Sequence, residues 1–122
     1  KIQTISTTGP KALSQLTAAS SMRFSTDEKH MFCGNAGDNT ITVYDRDPKT
    51  GLLDYICCLP ISGSYPKDIC VFPDDRHIAS INHENGSITF FSVDYKKGLL
   101  IMNGKEIRVN EPNSCVIVKV SD

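Results

Sequence analysis

The sequence predicts an all-β fold built from repeated four-stranded antiparallel sheets, and three observations carry that prediction. First, the 122-residue chain overlays on itself at a shift of 47 residues: Met22 to Leu53 laid on Ile69 to Leu100 gives ten identities in 32 positions, where chance gives about two. The matched residues are Asp27/Asp74, His30/His77, Asn35/Asn82, Ile41/Ile88, Thr42/Thr89, Asp47/Asp94, Lys49/Lys96, Gly51/Gly98, Leu52/Leu99 and Leu53/Leu100. Second, each copy holds four stretches of alternating apolar and polar residues divided by turn residues, a pattern of antiparallel hairpins and not of helices. Third, one such sheet has two faces to bury, so each unit needs a neighbour on either side. A period of about 40 to 50 residues with these properties marks the blades of a β-propeller.

The elements follow in order. Ile2 to Ser6 reads as a lone strand, and Thr7 to Ala18 as a rim loop longer than its counterpart Ser62 to Pro66. The first copy then gives strands at Ser20 to Ser25, Lys29 to Gly34, Thr40 to Asp47 and Leu52 to Ile61. The second gives Lys67 to Phe72, Arg76 to Asn82, Ser87 to Asp94 and Leu99 to Val109, and a last strand runs from Cys115 to Val120. Ten strands make about two and a half blades. The turns have local causes. Asp47 and Gly51, like Asp94 and Gly98, place an acid that can bond its own turn and a residue free to take positive φ between third and fourth strands. Asn85-Gly86 is a strong hairpin signal between second and third strands, and Asn35 to Asn39 is equally turn-rich. Two complete units do not close a ring, so the expectation is the C-terminal part of a longer propeller. In that plan 1–18 is an outer strand and rim loop of a preceding blade, 19–61 and 67–109 are blades, and 114–120 is the inner strand of a closing blade. A short chain that builds its ring by oligomerising is the alternative plan.

Composition narrows function. The net charge is −1 with both signs mixed throughout, which offers no basic surface to a phosphate backbone, so nucleic acid is not an expected partner. No apolar run reaches the roughly 20 residues of a spanning helix, and no membrane partner is expected. Cys33, Cys57, Cys58, Cys70 and Cys115 form no Cys-x-x-Cys pair and leave an odd one over. They are expected as reduced, buried thiols of a cytoplasmic protein, with neither a disulfide framework nor structural zinc.

Pro66-Lys67-Asp68-Ile69, Phe72-Pro73-Asp74-Asp75-Arg76, Ile81-Asn82, Ser87-Ile88-Thr89-Phe90-Phe91, Asp94 and Gly98-Leu99-Leu100 resemble the blade consensus of the lactonase family of seven-bladed propellers. Ala19 to Leu53, with His30-Met-Phe and Asn39-Thr-Ile-Thr-Val-Tyr44, resembles the preceding blade, and Pro112-Asn-Ser-Cys-Val-Ile117 the closing segment. The resemblance covers nearly the whole chain and about the last third of a family member. It implies a hydrolase that opens a sugar lactone such as 6-phosphogluconolactone by activated water, with the remaining blades of the same protein as structural partners. This chain departs from the family pattern where an Arg and an acidic residue usually stand, having Ala36 and Ser21. A non-catalytic propeller whose rim binds a protein or carbohydrate is therefore the alternative.

Opening a phosphorylated lactone needs a base for water, a cation near the carbonyl oxygen and a cation for the phosphate. His83 on a rim loop is the candidate base, since imidazole titrates near neutrality, and Arg23 on an inner strand is the candidate cation. Lys67 at the start of the next inner strand is the candidate clamp for phosphate or carboxylate. Asn35 and Asn82 are candidate substrate contacts at the channel. Each has a plainer reading: a solvated lysine, a loop histidine, an ion pair between blades, and asparagines that bond their own turns. His30 and His77 recur in Asp-x-x-His units and read as ties between turn and strand. No metal-ligand set and no Gly-rich phosphate loop is present, and no cofactor is expected.

Overall fold

The computed structural model describes residues 2–10 and 16–121. Strands β1 (Ala18–Phe24), β2 (His30–Ala36), β3 (Thr40–Arg46) and β4 (Leu53–Pro60) form one antiparallel sheet in chain order. Strands β5 (Pro66–Val71), β6 (His77–Asn82), β7 (Ser87–Asp94) and β8 (Leu99–Met102) form a second, and the short β9 (Ile107–Arg108) also pairs with β7. There is no helix among the described residues, and so none long and apolar enough to cross a membrane.

The repeat extends to the irregularities. β1 slips register against β2 between Ala19 and Ser21, and β5 slips against β6 between Pro66 and Asp68, the same place 47 residues on. One residue is left unpaired at each slip: Ser20 in the first blade and Lys67 in the second. The turns hold as their residues predict. Asp47 accepts the backbone N–H of Lys49 at 2.8 Å and of Thr50 at 3.2 Å, and Asp94 accepts that of Lys97 at 2.9 Å. Gly51 and Gly98 follow at φ 73° and 64°, a region costly for any residue with a Cβ.

The two sheets stack face to face. Phe32, Ile41 and Val43 of the first blade pack with Ile61, Ile69, Ile78 and Phe91 in one cluster, each 2% exposed or less. Fully burying a side chain of this kind stabilises by roughly 1.5–3 kcal/mol. On the far face of the first blade Met31, Cys33 and Tyr44 are covered by Ile5 and Leu53. With both faces occupied, β2 is buried from Met31 to Ala36.

A polar clamp recurs between units. Asn82 donates its amide to Ser87 Oγ at 3.2 Å and Thr89 Oγ1 at 3.0 Å, and Thr89 donates its hydroxyl to the Ile61 carbonyl at 2.9 Å. In the first blade Asn35 donates to Thr40 Oγ1 at 3.2 Å, to Thr42 Oγ1 at 3.0 Å and to the Thr7 carbonyl at 2.8 Å, and the Thr42 hydroxyl also donates to Thr7. Thr7, just past 2–6, thus holds for the first blade the place that Ile61, just past β4, holds for the second.

Four expectations are corrected. Ile2 to Ser6 carries no strand ladder; Gln3 instead brackets Leu53 with its side-chain amide, and Ser6 accepts the Tyr44 hydroxyl at 2.5 Å. Cys115 to Val120 is likewise unpaired; a ladder requires the third strand of its own blade for the outer segment and the second strand for the inner one, which the described residues do not supply. The described residues hold nine strands, not ten, because these two are lost and a third predicted strand is split in two. Leu99 to Val109 is interrupted at Asn103 to Glu106, where Gly104 turns at φ 73° before β9 rejoins β7. Finally, the cysteines are not all reduced: Cys70 and Cys115 are joined as a disulfide, because the C-terminal segment runs back beside β5 and sets the two Cα atoms 6.1 Å apart. Cys33, Cys57 and Cys58 are free. Of the expected long rim loop, Lys11 to Gln15 lie outside the described residues.

The paired histidines diverge. His77 meets Asp74 within its own Asp-x-x-His unit, Nδ1 to Oδ2 at 2.6 Å. His30 instead reaches Asp45 at 3.1 Å and stacks on Tyr95 of the next blade, ring centroids 3.6 Å apart.

Candidate functional site

The inner strands β1 and β5 and the segment 112–117 bring together most of the candidate residues. Arg23 leaves β1 and places Nη2 2.7 Å from Asp68 Oδ1 and 2.9 Å from Oδ2, across the boundary between blades. Asp68 is 3% exposed and accepts two further bonds, from the N–H of Ile69 at 2.8 Å and of Cys115 at 3.1 Å. Cys115 stands 47 residues after Asp68, which in turn stands 47 after Ser21. One carboxylate therefore ties three successive units of the repeat. Arg23, Ile69, Cys70, Cys115 and Ile117 border a cleft of about 320 Å³ at this junction.

Lys67 is the bulged residue at the head of β5, and a bulge re-aims the side chain it carries. Its ammonium donates to Asn113 Oδ1 at 2.7 Å. The matching Ser20 sends its hydroxyl to the carbonyl of Pro66, the residue that matches Asn113 one repeat earlier. His83, just past β6, lies with Nδ1 3.1 Å from the Pro112 carbonyl. A carbonyl can only accept, so Nδ1 carries the proton of the neutral ring and Nε2 carries the lone pair.

Segment 112–115 thus touches His83, Lys67 and Asp68 in turn, and Asp68 holds Arg23. The arrangement sets one lone-pair nitrogen, one ammonium and one half-exposed guanidinium around a short stretch of chain at the inner edge of the blades. Such a set can orient an anionic sugar derivative and accept a proton from water. Asn35 and Asn82 are placed elsewhere. Both are wholly buried, their NH2 groups taken by the clamp, and Gly63 is needed beside Asn82 because a Cβ there would collide with the amide. Asp68 is the residue of this cluster absent from the sequence-based candidates. Its signal was the repeat itself: the acidic place that Ser21 leaves empty is filled one period later.

Among the described residues no three His, Cys, Asp or Glu side chains converge as a metal site. Burial pushes the Cys33 and Cys57 thiols each up to about 11, so both stay protonated at neutral pH.

Stacked four-stranded units, a 47-residue period and a cluster of polar groups on the inner strands define a blade segment of a propeller protein. The chain belongs to the family of lactonases with a seven-bladed β-propeller, whose profile matches residues 1–118. It is similar to a 6-phosphogluconolactonase of Bacillus subtilis, 22% identical over 103 residues, which are 84% of this chain and 30% of that protein. A Lactobacillus plantarum protein of known structure is 24% identical with a TM-score of 0.76, over 88% of this chain and 31% of that one. The periplasmic gluconolactonase of Pseudomonas aeruginosa is 20% identical with a TM-score of 0.73, over 80% and 27%. The chain spans about a third of the length of the curated relatives it matches.

Proposed function

We propose that this chain contributes two blades and part of the active site to a hydrolase that opens a sugar lactone of the 6-phosphogluconolactone kind. The observation that carries the reading is the grouping of Arg23, Asp68, Lys67 and His83 along segment 112–115. Water attacks the lactone carbonyl carbon and gives its proton to His83 Nε2. Arg23, held by Asp68, stabilises the charge that develops on the carbonyl oxygen, and Lys67 holds the phosphate. The carbon to ring-oxygen bond then breaks, and the ring oxygen takes the proton from His83. Asn35 and Asn82 act from behind this surface by keeping the rim loops in shape.

In the whole protein 1–18 would complete a preceding blade and 114–120 would begin a closing one. The repetition of the clamp at Thr7 and Ile61 supports the first assignment, and the 47-residue step from Asp68 to Cys115 supports the second. We place the protein in the cytoplasm on the strength of three free cysteines; the Cys70–Cys115 bond is the feature at odds with that setting. A second reading, a rim that binds a carbohydrate without catalysis, is favoured by one observation: Ala36 is 6% exposed and brings no cation to the loop after β2.

Hydrolysis of 6-phosphogluconolactone by the full-length protein separates the two. The expected result is a rate above the spontaneous background, with kcat lowered about 100-fold in His83→Ala, within the usual range for loss of a general base. Lys67→Ala raises KM. No rate above background rejects the enzyme.

A further inference from the structure

Tyr65 is the most unusual residue on the rim. Its φ is 60°, in the left-handed region that a bulky aromatic side chain rarely occupies. The backbone is held there from both sides. Its N–H donates to Asn39 Oδ1 of the first blade at 2.8 Å, and its carbonyl accepts the N–H of His83 of the second at 3.0 Å. Asn39 and Ser62 are themselves at φ 57° and 54°. Three rim loops therefore converge to fix one tyrosine in an unfavourable conformation. Tyr65 lies outside both apolar clusters and is 36% exposed, and its ring is tilted against that of His83 at 6.2 Å between centroids. The ring borders a cleft of about 260 Å³ with Ala36, Gly37, Asn39 and Glu84 along its sides. That volume falls just under the range of pockets for drug-sized ligands and suits a single sugar ring. Strain maintained at an exposed aromatic is what a ligand platform requires, since the ring must stand ready before the ligand arrives.

We propose that Tyr65 is a substrate-positioning residue: the flatter, C–H-bearing face of a pyranose or lactone ring lies on its aromatic face, with Asn39 and Glu84 at the hydroxyl edge and His83 and Lys67 beyond. The electron-rich face of the ring meets the slightly positive C–H bonds of the sugar, while hydroxyls stay at the polar edge. This rests on the sugar-lactone reading for the identity of the ligand, and on the geometry of the rim for its place.

The test uses the full-length protein with Tyr65→Phe, Tyr65→Ala and Tyr65→Gly. The glycine variant accepts positive φ without strain, so it separates loss of the ring from damage to the loop. Two readouts are needed: KM and kcat for 6-phosphogluconolactone, and binding of 6-phosphogluconate by calorimetry. Tyr65→Phe is expected within twofold of the parent in both. Tyr65→Ala and Tyr65→Gly are expected to raise KM and weaken 6-phosphogluconate binding about tenfold, with kcat changed less than threefold. Binding that depends on Tyr65 in a protein without hydrolysis upholds this inference and rejects the enzyme reading. Binding and KM within twofold of the parent in Tyr65→Gly, a loss in Tyr65→Phe as large as in Tyr65→Ala, or no 6-phosphogluconate binding by the parent overturns it.

Discussion

Asp68 shows how one side chain can serve three units at once. Its carboxylate holds a guanidinium from the blade before it, the N–H of its own neighbour Ile69, and the N–H of Cys115 from the segment after it. Its meaning could not be read from composition, because an acidic residue on an inner strand has no visible partner until the strands are stacked. Arg23 was legible as a residue that reaches across, and Lys67 as a residue at a strand head, but not as a bulge. The opposite rim was legible in more detail. Asp74 accepts the N–H groups of Arg76 at 2.9 Å and His77 at 3.1 Å, and meets the His77 ring. The bond from Arg76, with the His77 ring after it, lowers the Asp74 carboxyl from 3.8 to about 2. The folded acid binds its proton less readily than the unfolded one. The turn's share of stability is therefore complete above the unfolded value of 3.8 and is lost as pH falls through about 2. Carbon-13 chemical shifts of the Asp74 carboxyl followed against pH should give a midpoint near 2, and a midpoint near the ordinary aspartate value would show that the turn does not hold it.

Eight of the nine strands were legible at the level of the element, because period-2 alternation, Asp and Gly turns and the 47-residue shift all point the same way. The exceptions share a physical cause. Ile2 to Ser6 and Cys115 to Val120 have strand-like residues, yet pairing is a property of two strands and neither has its partner here. Leu99 to Val109 kept its apolar rhythm but is broken near Gly104, which turns at φ 73°. The asparagines taught a different lesson: Asn35 and Asn82 recur because each blade must fasten to the one before it, a structural need that repeats, whereas a substrate contact need occur only once. Replacing Thr89 by Val keeps the shape and removes the hydroxyl that reaches Ile61. The buried Ile61 carbonyl then loses its donor, which costs about 1–3 kcal/mol. Urea unfolding of the full-length protein should show that loss, with KM unchanged; an unaltered midpoint would mean that the clamp contributes nothing to the junction between blades.

Across the molecule, the stacking of adjoining wedges is what turns a repeat into a site. The cleft beside Arg23 is bordered by both blades and the returning segment, and the one beside Tyr65 by loops of both blades. The fold was legible because each unit repeats the same buried pattern. The candidate site was only partly so, because it consists of what differs between units: Lys67 for Ser20, Asp68 for Ser21, His83 for Ala36. The disulfide escaped notice for the same reason, since Cys70 and Cys115 have no matching pair one repeat earlier. The most direct measurement is a crystal structure of the full-length protein soaked with 6-phosphogluconate. The account predicts the sugar acid over Tyr65, its phosphate on Lys67 and its carboxyl end toward His83 and Arg23. Ordered ligand bound only at the opposite rim, or at no site built from the inner strands of these two blades, would contradict it.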